Sequence, residues 1–508
     1  MKHQTILILD FGGQYKDLVA RRVRECSVYS EVYPGNIAAE RIQSLNPIGI
    51  ILTGGPHSVY APDAILPDTK LFDLGIPILG ICYGAQLIAF MNGGSVSRCE
   101  KGEYGERQIT LSARSPLYEG LESEQTVLMS HADQIDQIPA QFSVTASSES
   151  CPVTSFESVE KKQFGLQFHP ETDLTENGTK ILRNFLFKVC GAVGDYTIAN
   201  FKDEQIHAIR NQVGADKVVL GLSGGVDSAV CAALLAEAIP NQTICIFVDH
   251  GLMRKNEGDQ VEAAFSTRSL QFIRIDASDR FLEKLAGVTD PERKRKIIGA
   301  EFINVFSEQA ELHGDARFLA QGTIYPDVIE SGIGSSATIK SHHNVGGLPK
   351  DLNFSGIVEP LRSLFKDEVR LLGKQLGLPQ EIVNRQPFPG PGLAVRVIGE
   401  ITREKLDILR EADAIFREEL ESNAIRASQY FAVLTNLRSV GVMGDGRTYD
   451  YTLALRAVNT TDFMTAAYTE IPHQVLRRAS SRITNEVRGI NRVVYDITDK
   501  PPATIEWE

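Results

Sequence analysis

The chain has 508 residues, 43% of them hydrophobic and 23% charged, a composition typical of soluble globular proteins. At roughly 150 residues per domain, this length predicts about three domains. The formal net charge of −13 argues against binding to a nucleic acid polymer, because the phosphates of DNA or RNA would repel the chain.

Cysteine spacing and hydropathy predict a cytoplasmic protein. The seven cysteines are scattered and include no CxxC pair, which favours a reducing compartment and argues against a zinc ribbon. The first apolar run is too short for a signal peptide and is interrupted by Asp10. No charge-free apolar segment is long enough to span a bilayer, so we expect no membrane partner.

Residues 1–192 alternate short apolar strands with helical stretches. Strands are predicted at residues 5–9, 49–52 and 76–81. This alternation predicts a doubly wound α/β domain, that is, a mainly parallel sheet with helices on its faces.

The third of these strands ends in Gly-Ile-Cys-Tyr-Gly, residues 80–84, and a helix follows. The flanking glycines permit the strained turn of a nucleophile elbow at Cys82. A lone cysteine is more often a small buried hydrophobic residue, but the glycines favour a nucleophile. A nucleophilic thiol needs a base and an orienting group. In the segment QFHPE, His169 and Glu171 would point to the same side of an extended chain.

The segments TGGP, GICYG and QFHPE resemble those of class I glutamine amidotransferases, and the resemblance covers residues 1–192. It implies that Cys82 attacks the side-chain amide of glutamine, that His169 acts as base and then acid, and that Glu171 orients the imidazole. Backbone N–H groups would form the oxyanion hole. The resemblance also implies residues that form the oxyanion hole, recognise glutamine or contact another domain. They are Gly54, Gly55, Tyr83, Gln86 and residues 130–133.

A second alternating pattern runs over residues 193–385. It predicts another doubly wound, mainly parallel α/β domain, in which ligands bind outside the carboxyl ends of the strands. Strands are predicted at residues 218–222, 243–248, 272–275 and 317–321.

The loop Ser-Gly-Gly-Val-Asp-Ser, residues 223–228, joins the first of these strands to an Ala-rich helix. Its glycines let backbone N–H groups approach phosphate oxygens, and the helix start adds the positive end of a dipole. The P-loop of GTPases requires a lysine, which does not follow Gly225. Residues 221–225 also match the G-x-S-x-G elbow of hydrolases, with Ser223 as nucleophile, and a turn without a ligand is the third alternative.

The full string SGGVDS resembles the pyrophosphate-binding loop of the N-type ATP pyrophosphatases, which cleave ATP to AMP and pyrophosphate while they adenylate a substrate. The resemblance implies ATP as a substrate and Mg²⁺ as a cofactor, with Asp227 as the metal-binding residue. The other ATP contacts that it implies are Ser223, Gly224, Gly225, Val226, Ser228, Ala229, Val248 beside the adenine, and Lys366 on the pyrophosphate.

Two further segments have an open interpretation. Residues 322–354 form a long loop that could be a lid, in which Lys340, His342 and His343 meet phosphates or simply face water. Arg295 lies in the run KRKIIG, which is usually a solvated face but which family resemblance associates with the phosphate of the nucleotide substrate.

Residues 386–508 begin with the proline-rich break QPFPGPGL and then mix helix and strand patterns. The mixture predicts a small α+β domain, with a free sheet face that could pack against a second copy of the chain. A helix is predicted at residues 403–422, and strands are predicted at residues 431–434, 451–457 and 492–497.

The tail RVVYDITDKPPATIEWE, together with FPGPGL and IKSHHNVGGLP, resembles the glutamine-hydrolysing GMP synthases, and this resemblance spans the whole chain. It implies a homodimer through the C-terminal domain and a site for xanthosine 5′-monophosphate (XMP). It assigns Lys500 and Glu506 to that site, with residues 390–392 and Asp445 beside them. Gln386 stands where some family members carry histidine.

The resemblance implies a carbon–nitrogen ligase that uses glutamine as amido donor. XMP, ATP, glutamine and water would give GMP, AMP, pyrophosphate and glutamate through an adenyl-XMP intermediate. One alternative is another adenylating amidotransferase, such as one that makes NAD. A second is a nucleotide-binding regulatory protein with a degenerate amidotransferase domain, against which the complete set of Cys82, His169 and Glu171 argues.

Overall fold

The computed structural model describes residues 3–111, 115–330, 354–443, 446–460 and 465–508. The chain forms two compact units, Met1–Phe201 and Lys202–Glu508. None of the described helices is both long and apolar enough to cross a membrane.

The first unit is a nine-stranded mixed sheet with helices packed against it. Its strands are β1 (Thr5–Asp10), β2 (Tyr29–Pro34), β3 (Gly49–Leu52), β4 (Ile78–Ile81), β5 (Ser95–Leu111), β6 (Glu124–Gln137), β7 (Ser143–Ser147), β8 (Ser155–Ser158) and β9 (Gln163–Leu166). Its helices are α1 (Lys16–Glu25), α2 (Ala39–Leu45), α3 (Tyr83–Met91) and α4 (Gly178–Asn184). Helix α5 (Ile198–Val213) begins in the last residues of this unit and belongs mostly to the second.

The strand order is β2-β1-β3-β4-β9-β8-β7-β5-β6. The first five strands of this order are parallel, and they include the three predicted strands. The antiparallel half, from β8 to β6, was not predicted. Strands β3 and β4 are buried along their whole length and form continuous apolar runs, whereas much of β6 alternates buried with more exposed positions, so it lacks such a run.

The second unit contains a five-stranded parallel sheet of order β12-β11-β10-β13-β14. Its strands are β10 (Lys217–Leu222), β11 (Thr243–Asp249), β12 (Gln271–Asp276), β13 (Ala316–Ala320) and β14 (Gly356–Val358). The accompanying helices are α6 (Val226–Ala238), α7 (Glu257–Phe265), α8 (Ser278–Leu285), α9 (Pro291–Glu311), α10 (Tyr325–Glu330), α11 (Lys366–Gln375) and α12 (Gln380–Val383). The chain leaves β10 toward β11 and later returns to its other side as β13, which makes the carboxyl end of β10 a switch point where ligands bind in such sheets.

A four-stranded sheet follows, in which β15, β16 and β17 are antiparallel and β18 pairs with β16 in parallel. The elements are α13 (Arg403–Ser422), β15 (Gln429–Met443), β16 (Gly446–Asn459), β17 (Ala467–Tyr468), α14 (His473–Glu486) and β18 (Ile490–Asp496). This α+β arrangement confirms the predicted fold class of the C-terminal segment.

One hydrophobic core extends through both sheets of the second unit. It includes Val219 and Ile246 from the parallel sheet and Leu434 and Leu453 from the other sheet. Burial of these side chains stabilises both sheets together. The division of this unit at residue 386 into two domains stays a prediction, as does the first boundary at residue 192.

Candidate active sites

Cys82 lies at the tight turn between β4 and α3. Its backbone φ of 51° and ψ of −105° lie outside the ordinary regions for a residue with a Cβ. Such strain costs about 1–3 kcal/mol and is typical of functional sites. A 2.7 Å hydrogen bond from Cys82 N to the Leu166 carbonyl, at the end of β9, holds the turn. This is the backbone geometry of a nucleophile elbow.

Two glycines make this turn possible. A Cβ on Gly80 would lie 2.4 Å from the carbonyl carbon of Gly84, and a Cβ on Gly84 would lie 2.3 Å from the Leu52 carbonyl oxygen. Both distances are far below normal contacts, so a side chain at either position would push α3 away from the sheet. The spacing of the two glycines around Cys82 is therefore a packing requirement of the turn.

His169 and Glu171 follow β9 and reach the same turn. Nδ1 of His169 lies 2.7 Å from Oε1 of Glu171, and both side chains are buried. The imidazole also interacts with the Cys82 sulfur. Gly54 borders the pair, since a Cβ there would lie 3.4 Å from His169 Cε1 and 3.9 Å from Cys82 Cβ. The structure thus places a thiol, an imidazole and a carboxylate side by side, in the spatial order that nucleophilic catalysis needs.

Electrostatics favour a charged imidazole at this site. Burial alone would lower the pKa of His169, but the Glu171 carboxylate and the Cys82 sulfur raise it well above its ordinary value. An imidazolium beside the sulfur can stabilise a thiolate and can later protonate a leaving amine.

Replacing Glu171 by Gln should slow glutamine hydrolysis by about 10²- to 10⁴-fold, as loss of the orienting carboxylate does in comparable triads. The same change should lower the pKa of His169, because the carboxylate is what favours the imidazolium. The alkaline limb of the pH–rate profile should therefore move to lower pH. Initial rates of glutamate formation across the pH range measure both effects, and an unchanged alkaline limb would contradict the assigned role.

Gln86 connects the nucleophile to residues 130–133. Its Nε2 donates to the Asp133 carbonyl at 2.9 Å and to Gln167 Oε1 at 3.3 Å, and Gln167 Nε2 in turn lies 3.7 Å from the Cys82 sulfur. The carbonyl of Ser130 also lies 3.7 Å from that sulfur. Gln86 is itself buried, so its role here is to hold the Asp133 carbonyl and Gln167 in place beside the nucleophile.

The predicted oxyanion positions lie around the same turn. A Cβ on Gly55 would lie 2.7 Å from the Phe11 carbonyl oxygen and 3.2 Å from the ring of Tyr83, so only glycine fits there. The Tyr83 side chain is buried, and its hydroxyl donates to the Ile65 carbonyl at 3.0 Å. Its phenol is therefore structural, and its backbone N–H at the start of α3 is the group available for an anion.

The second candidate site is the loop between β10 and α6, residues 223–228. Gly224 has a φ of +78°, and Gly225 is the N-cap of α6. The hydroxyl of Ser223 lies 3.1 Å from that of Ser228 and accepts a hydrogen bond from Gly225 N. Within the described residues, the hydrogen bonds of the Ser223 hydroxyl are with this loop, which argues against a serine–histidine hydrolase. The loop presents helix-terminal N–H groups, which suit a phosphate.

The apolar residues predicted to contact ATP lie around this loop. Val226 and Ala229 are in the first turn of α6, and Val248 is the last fully buried residue of the neighbouring strand β11. All three side chains are buried.

Asp227 fits a cation bound beside the loop. Its Oδ2 accepts a hydrogen bond from Lys366, the first residue of α11. Its Oδ1 is buried and has no hydrogen-bond partner among the described residues. A carboxylate oxygen left in this way beside a phosphate-binding loop suits an oxygen-preferring ion such as Mg²⁺. Lys366 lies at a helix N-terminus, where its charge opposes the dipole unless an anion is bound.

Arg385 supports the loop from another side, and sequence reasoning missed it. Its buried guanidinium donates to the Gly224 carbonyl at 2.6 Å and pairs with Glu257 at 2.9 Å. Glu257 also accepts from the Arg254 backbone N–H at 3.0 Å. These contacts join segments that are far apart in the sequence, and no local pattern distinguishes Arg385 from a surface arginine.

Glu506, predicted to bind XMP, is engaged by a buried arginine. Arg396 donates to its two carboxylate oxygens at 3.0 and 2.8 Å, and Gln429 Nε2 donates at 3.0 Å. The Arg396 guanidinium also lies 4.0 Å from the centroid of the Phe431 ring. Sequence reasoning missed Arg396, although an arginine inside the apolar run GLAVRVIG is a signal for a buried ion pair.

Arg295 lies in α9 and contacts the tail as well. Its Nη2 donates to a main-chain oxygen of Glu508 at 2.6 Å, and the buried Lys294 pairs with the Glu508 side chain. The structure therefore places Arg295 and Glu506 close to the same tail segment. Lys500 lies earlier in the tail and pairs with Ala466 through two backbone hydrogen bonds.

The proline-rich segment, residues 386–393, packs against other parts of the second unit, to which it belongs. Gly392 has a φ of +63°, and a Cβ there would lie 2.3 Å from the Leu252 carbonyl oxygen, so glycine is required. Gln386 exchanges two hydrogen bonds with the backbone of Tyr430, at 2.9 and 2.8 Å, which gives it a structural role. The predictions for Lys340, His342, His343 and Asp445 lie outside the described residues, as does the part of the predicted loop 322–354 that runs from residue 331 to 353. The start of that stretch is not a loop as predicted, because residues Tyr325–Glu330 form helix α10.

Three family models match the chain. A class-I glutamine amidotransferase model matches residues 7–189, a NAD synthase model matches residues 199–289, and a GMP synthase C terminal domain model matches residues 418–507. The first match includes Cys82, His169 and Glu171, and the second includes the loop with Asp227.

Curated relatives match from end to end. A protein named GMP synthase (glutamine-hydrolyzing) from Acetivibrio thermocellus is 60% identical, and one of the same name from Caldicellulosiruptor saccharolyticus is 57% identical, with 100% of both chains covered in each case. A solved glutamine amidotransferase from Thermotoga maritima is 20% identical and covers 38% of this chain and 100% of its own, with a TM-score of 0.33. That score is too low to add to the assignment.

Proposed function

The chain belongs to the glutamine-hydrolysing GMP synthase family, and from this premise we propose how its residues divide the reaction. It is a glutamine-dependent ligase that converts XMP, ATP, glutamine and water to GMP, AMP, pyrophosphate and glutamate through an adenyl-XMP intermediate. The observation that carries this function is the end-to-end match to relatives of that name.

In the first unit, Cys82 attacks the side-chain amide carbon of glutamine as a thiolate, because His169 already holds the thiol proton as an imidazolium. Backbone N–H groups at Gly55 and Tyr83 stabilise the oxyanion of the tetrahedral intermediate. His169 then gives the proton to the leaving nitrogen, so ammonia departs and a glutamyl thioester remains. Water, activated by the same imidazole, releases glutamate and regenerates the thiol. Support for these roles comes from the 2.7 Å contact between His169 and Glu171 beside the strained turn.

In the second unit, the C2 oxygen of XMP attacks the α-phosphorus of ATP and pyrophosphate leaves. The C2 oxygen is a poor leaving group by itself, whereas AMP is a good one, so ammonia can then displace AMP at C2. The loop at residues 223–228 holds the departing pyrophosphate with its N–H groups, and Lys366 neutralises its charge. Asp227 holds Mg²⁺, which when bound offsets the charge that develops on the phosphates.

XMP contacts are assigned to residues near the tail. Arg295 contacts the nucleotide phosphate, and Lys500 and Glu506 also contact XMP, with residues 390–392 and Asp445 beside them. Support comes from the contacts of Arg295 and of Glu506 around the tail segment. Arg396 then acts by fixing the Glu506 carboxylate.

The chain works as a homodimer formed through its C-terminal sheet. Several apolar side chains of β15 and β16 are exposed, which is unusual for a sheet face without a partner. Leu437 is 69% exposed, Val442 75% and Tyr449 62%. Domain boundaries at residues 192 and 386 and a cytoplasmic location complete the proposal.

Val442→Asp should weaken the dimer at least about tenfold, because a carboxylate would be desolvated in the interface. Sedimentation equilibrium across protein concentration measures the dissociation constant. Val159→Asp is the matched control, since Val159 is 62% exposed in the first unit and should leave the constant unchanged. A dimer of undiminished strength in the Val442 variant would rule out this face.

The function itself is tested by following the amide nitrogen of glutamine. Mass spectrometry of GMP made with glutamine labelled at that nitrogen tests both half-reactions and their coupling in one sample.

A further inference from the structure

Three residues with metal-binding side chains meet in the antiparallel half of the first sheet. Glu103 on β5 lies directly opposite His131 on β6, and Cys151 lies in the segment between β7 and β8. Their exposed fractions are 5%, 5% and 1%. One ligand atom from each lies within 4.8 Å of the other two.

The hydrogen bonds of His131 decide which ring nitrogen carries the proton. Nδ1 lies 3.0 Å from the Asp133 carbonyl oxygen, which can only accept, so Nδ1 carries hydrogen. Nε2 lies 3.1 Å from Oε2 of Glu103. In a neutral imidazole Nε2 is then an acceptor that faces a carboxylate oxygen, so a proton or a metal cation must lie between the two atoms.

Either a second proton or a metal cation can occupy this position. A second proton would give either a buried imidazolium beside the Glu103 carboxylate or a neutral Glu103 carboxyl group that donates to Nε2. A metal cation suits the arrangement better. Histidines that bind metals usually donate their other ring N–H to a carbonyl or carboxylate, as Nδ1 does here to Asp133.

We propose that Glu103, His131 and Cys151 form a binding site for a zinc-class divalent cation. Thiolate, imidazole and carboxylate together favour Zn²⁺ over Mg²⁺ or Ca²⁺. The 3.1 Å between Nε2 and Oε2 is close to the spacing of two ligands on one tetrahedral zinc with bonds of about 2.0–2.2 Å. On binding, the Cys151 thiol releases its proton to solvent, and the metal takes its place.

The three side chains come from three separate stretches of sequence, so the site has none of the close cysteine spacing of a zinc ribbon.

The site is linked to the glutaminase pocket through one carbonyl group. The Asp133 oxygen accepts from His131 Nδ1 at 3.0 Å and from Gln86 Nε2 at 2.9 Å. Gln86 in turn contacts Gln167, which reaches the Cys82 sulfur. The proposal goes beyond the function proposed above, because no step of that reaction uses Glu103 or Cys151.

The test is metal binding by the full-length protein, reduced and stripped with a chelator. Co²⁺ should bind with a thiolate-to-metal charge-transfer band, and Zn²⁺ should displace it. The measurement is made in the Cys82→Ser protein as well, because the catalytic thiol and imidazole could also bind metal. We expect the band to persist in Cys82→Ser and to disappear in Cys151→Ala.

Cys26→Ala is the matched control for Cys151→Ala. Both thiols belong to the first unit, both are 1% exposed, and burial raises the pKa of both to about 11. The control should keep the charge-transfer band. A band that disappears in Cys82→Ser and persists in Cys151→Ala would overturn the proposal, because the metal would then be bound by the catalytic pair.

The variant Glu103→Gln distinguishes a bound metal from an extra proton between His131 and Glu103. The Gln amide can donate to the bare Nε2 of His131, so this variant should melt no lower than the unaltered protein in chelator. It should nevertheless bind Zn²⁺ at least about 100-fold more weakly, because a charged ligand is lost, and it should lose the rise in melting temperature that Zn²⁺ causes. If Glu103→Gln instead melts lower in chelator and keeps its Zn²⁺ affinity, the two residues form a buried ion pair, and the proposal is wrong.

Discussion

Cys82→Ala should lower the rate of GMP formation from glutamine by at least about 10⁴-fold, because the proposed thioester forms on the sulfur that this change removes. With ammonium chloride in place of glutamine, the same variant should make GMP within about twofold of the unaltered protein. The reason is that adenylation and attack by ammonia use residues of the second unit only. Coupled assays of GMP with each nitrogen donor measure the two rates.

Cys26→Ala is the control for this experiment as well. It removes a buried thiol from the same unit without touching the turn between β4 and α3, so both nitrogen donors should remain effective. Equal loss of both activities in Cys82→Ala would show that the variant had damaged the protein generally, and full glutamine-dependent activity would show that Cys82 is not the nucleophile.

Asp227→Asn, unlike Cys82→Ala, should impair GMP synthesis with either nitrogen donor. The substitution removes the charge that we propose holds the metal, as well as the carboxylate that pairs with Lys366, so synthesis from glutamine and from ammonia should both decrease by at least about 10³-fold. Cys82 should still react with a glutamine-like affinity label, because the first unit is unaltered. Pyrophosphate release with XMP and ATP measures the loss directly.

Asp203→Asn is the matched control, since Asp203 is an exposed carboxylate on the helix that precedes β10. It should leave pyrophosphate release unchanged. If Asp227→Asn retained near-normal release at saturating Mg²⁺, Asp227 would not be the metal-binding residue. Partial recovery at raised Mg²⁺ would agree with a weakened metal site.

Strands such as β3, β4 and β11 were predictable because each is a short apolar run that is buried along all or nearly all of its length. The predicted strand at residues 49–52 coincides with β3, and the strand at 243–248 is one residue short of β11. The candidate nucleophile was predictable for a related reason. Its geometry depends on glycines at fixed distances along the chain, and such a constraint is visible in the sequence as GICYG.

Residues that act through distant partners were not predictable. Arg396 binds Glu506 across 110 residues, and Arg385 binds the Gly224 carbonyl across 161. The apolar run around Arg396 indicates a buried arginine, but no local pattern identifies the partner of either arginine, because tertiary folding alone brings the partners together. The antiparallel half of the first sheet escaped prediction since much of β6 alternates buried and more exposed positions and offers no continuous apolar run. The cluster of Glu103, His131 and Cys151 depends on that half.

The most direct test of the whole account is one reaction that contains the protein, XMP, Mg-ATP and glutamine labelled at its amide nitrogen. The account predicts labelled GMP, with AMP, pyrophosphate and glutamate formed in amounts equal to it. Mass spectrometry of GMP and quantification of the other three products give the answer. ADP in place of AMP, or glutamate that accumulates while XMP stays intact, would contradict it.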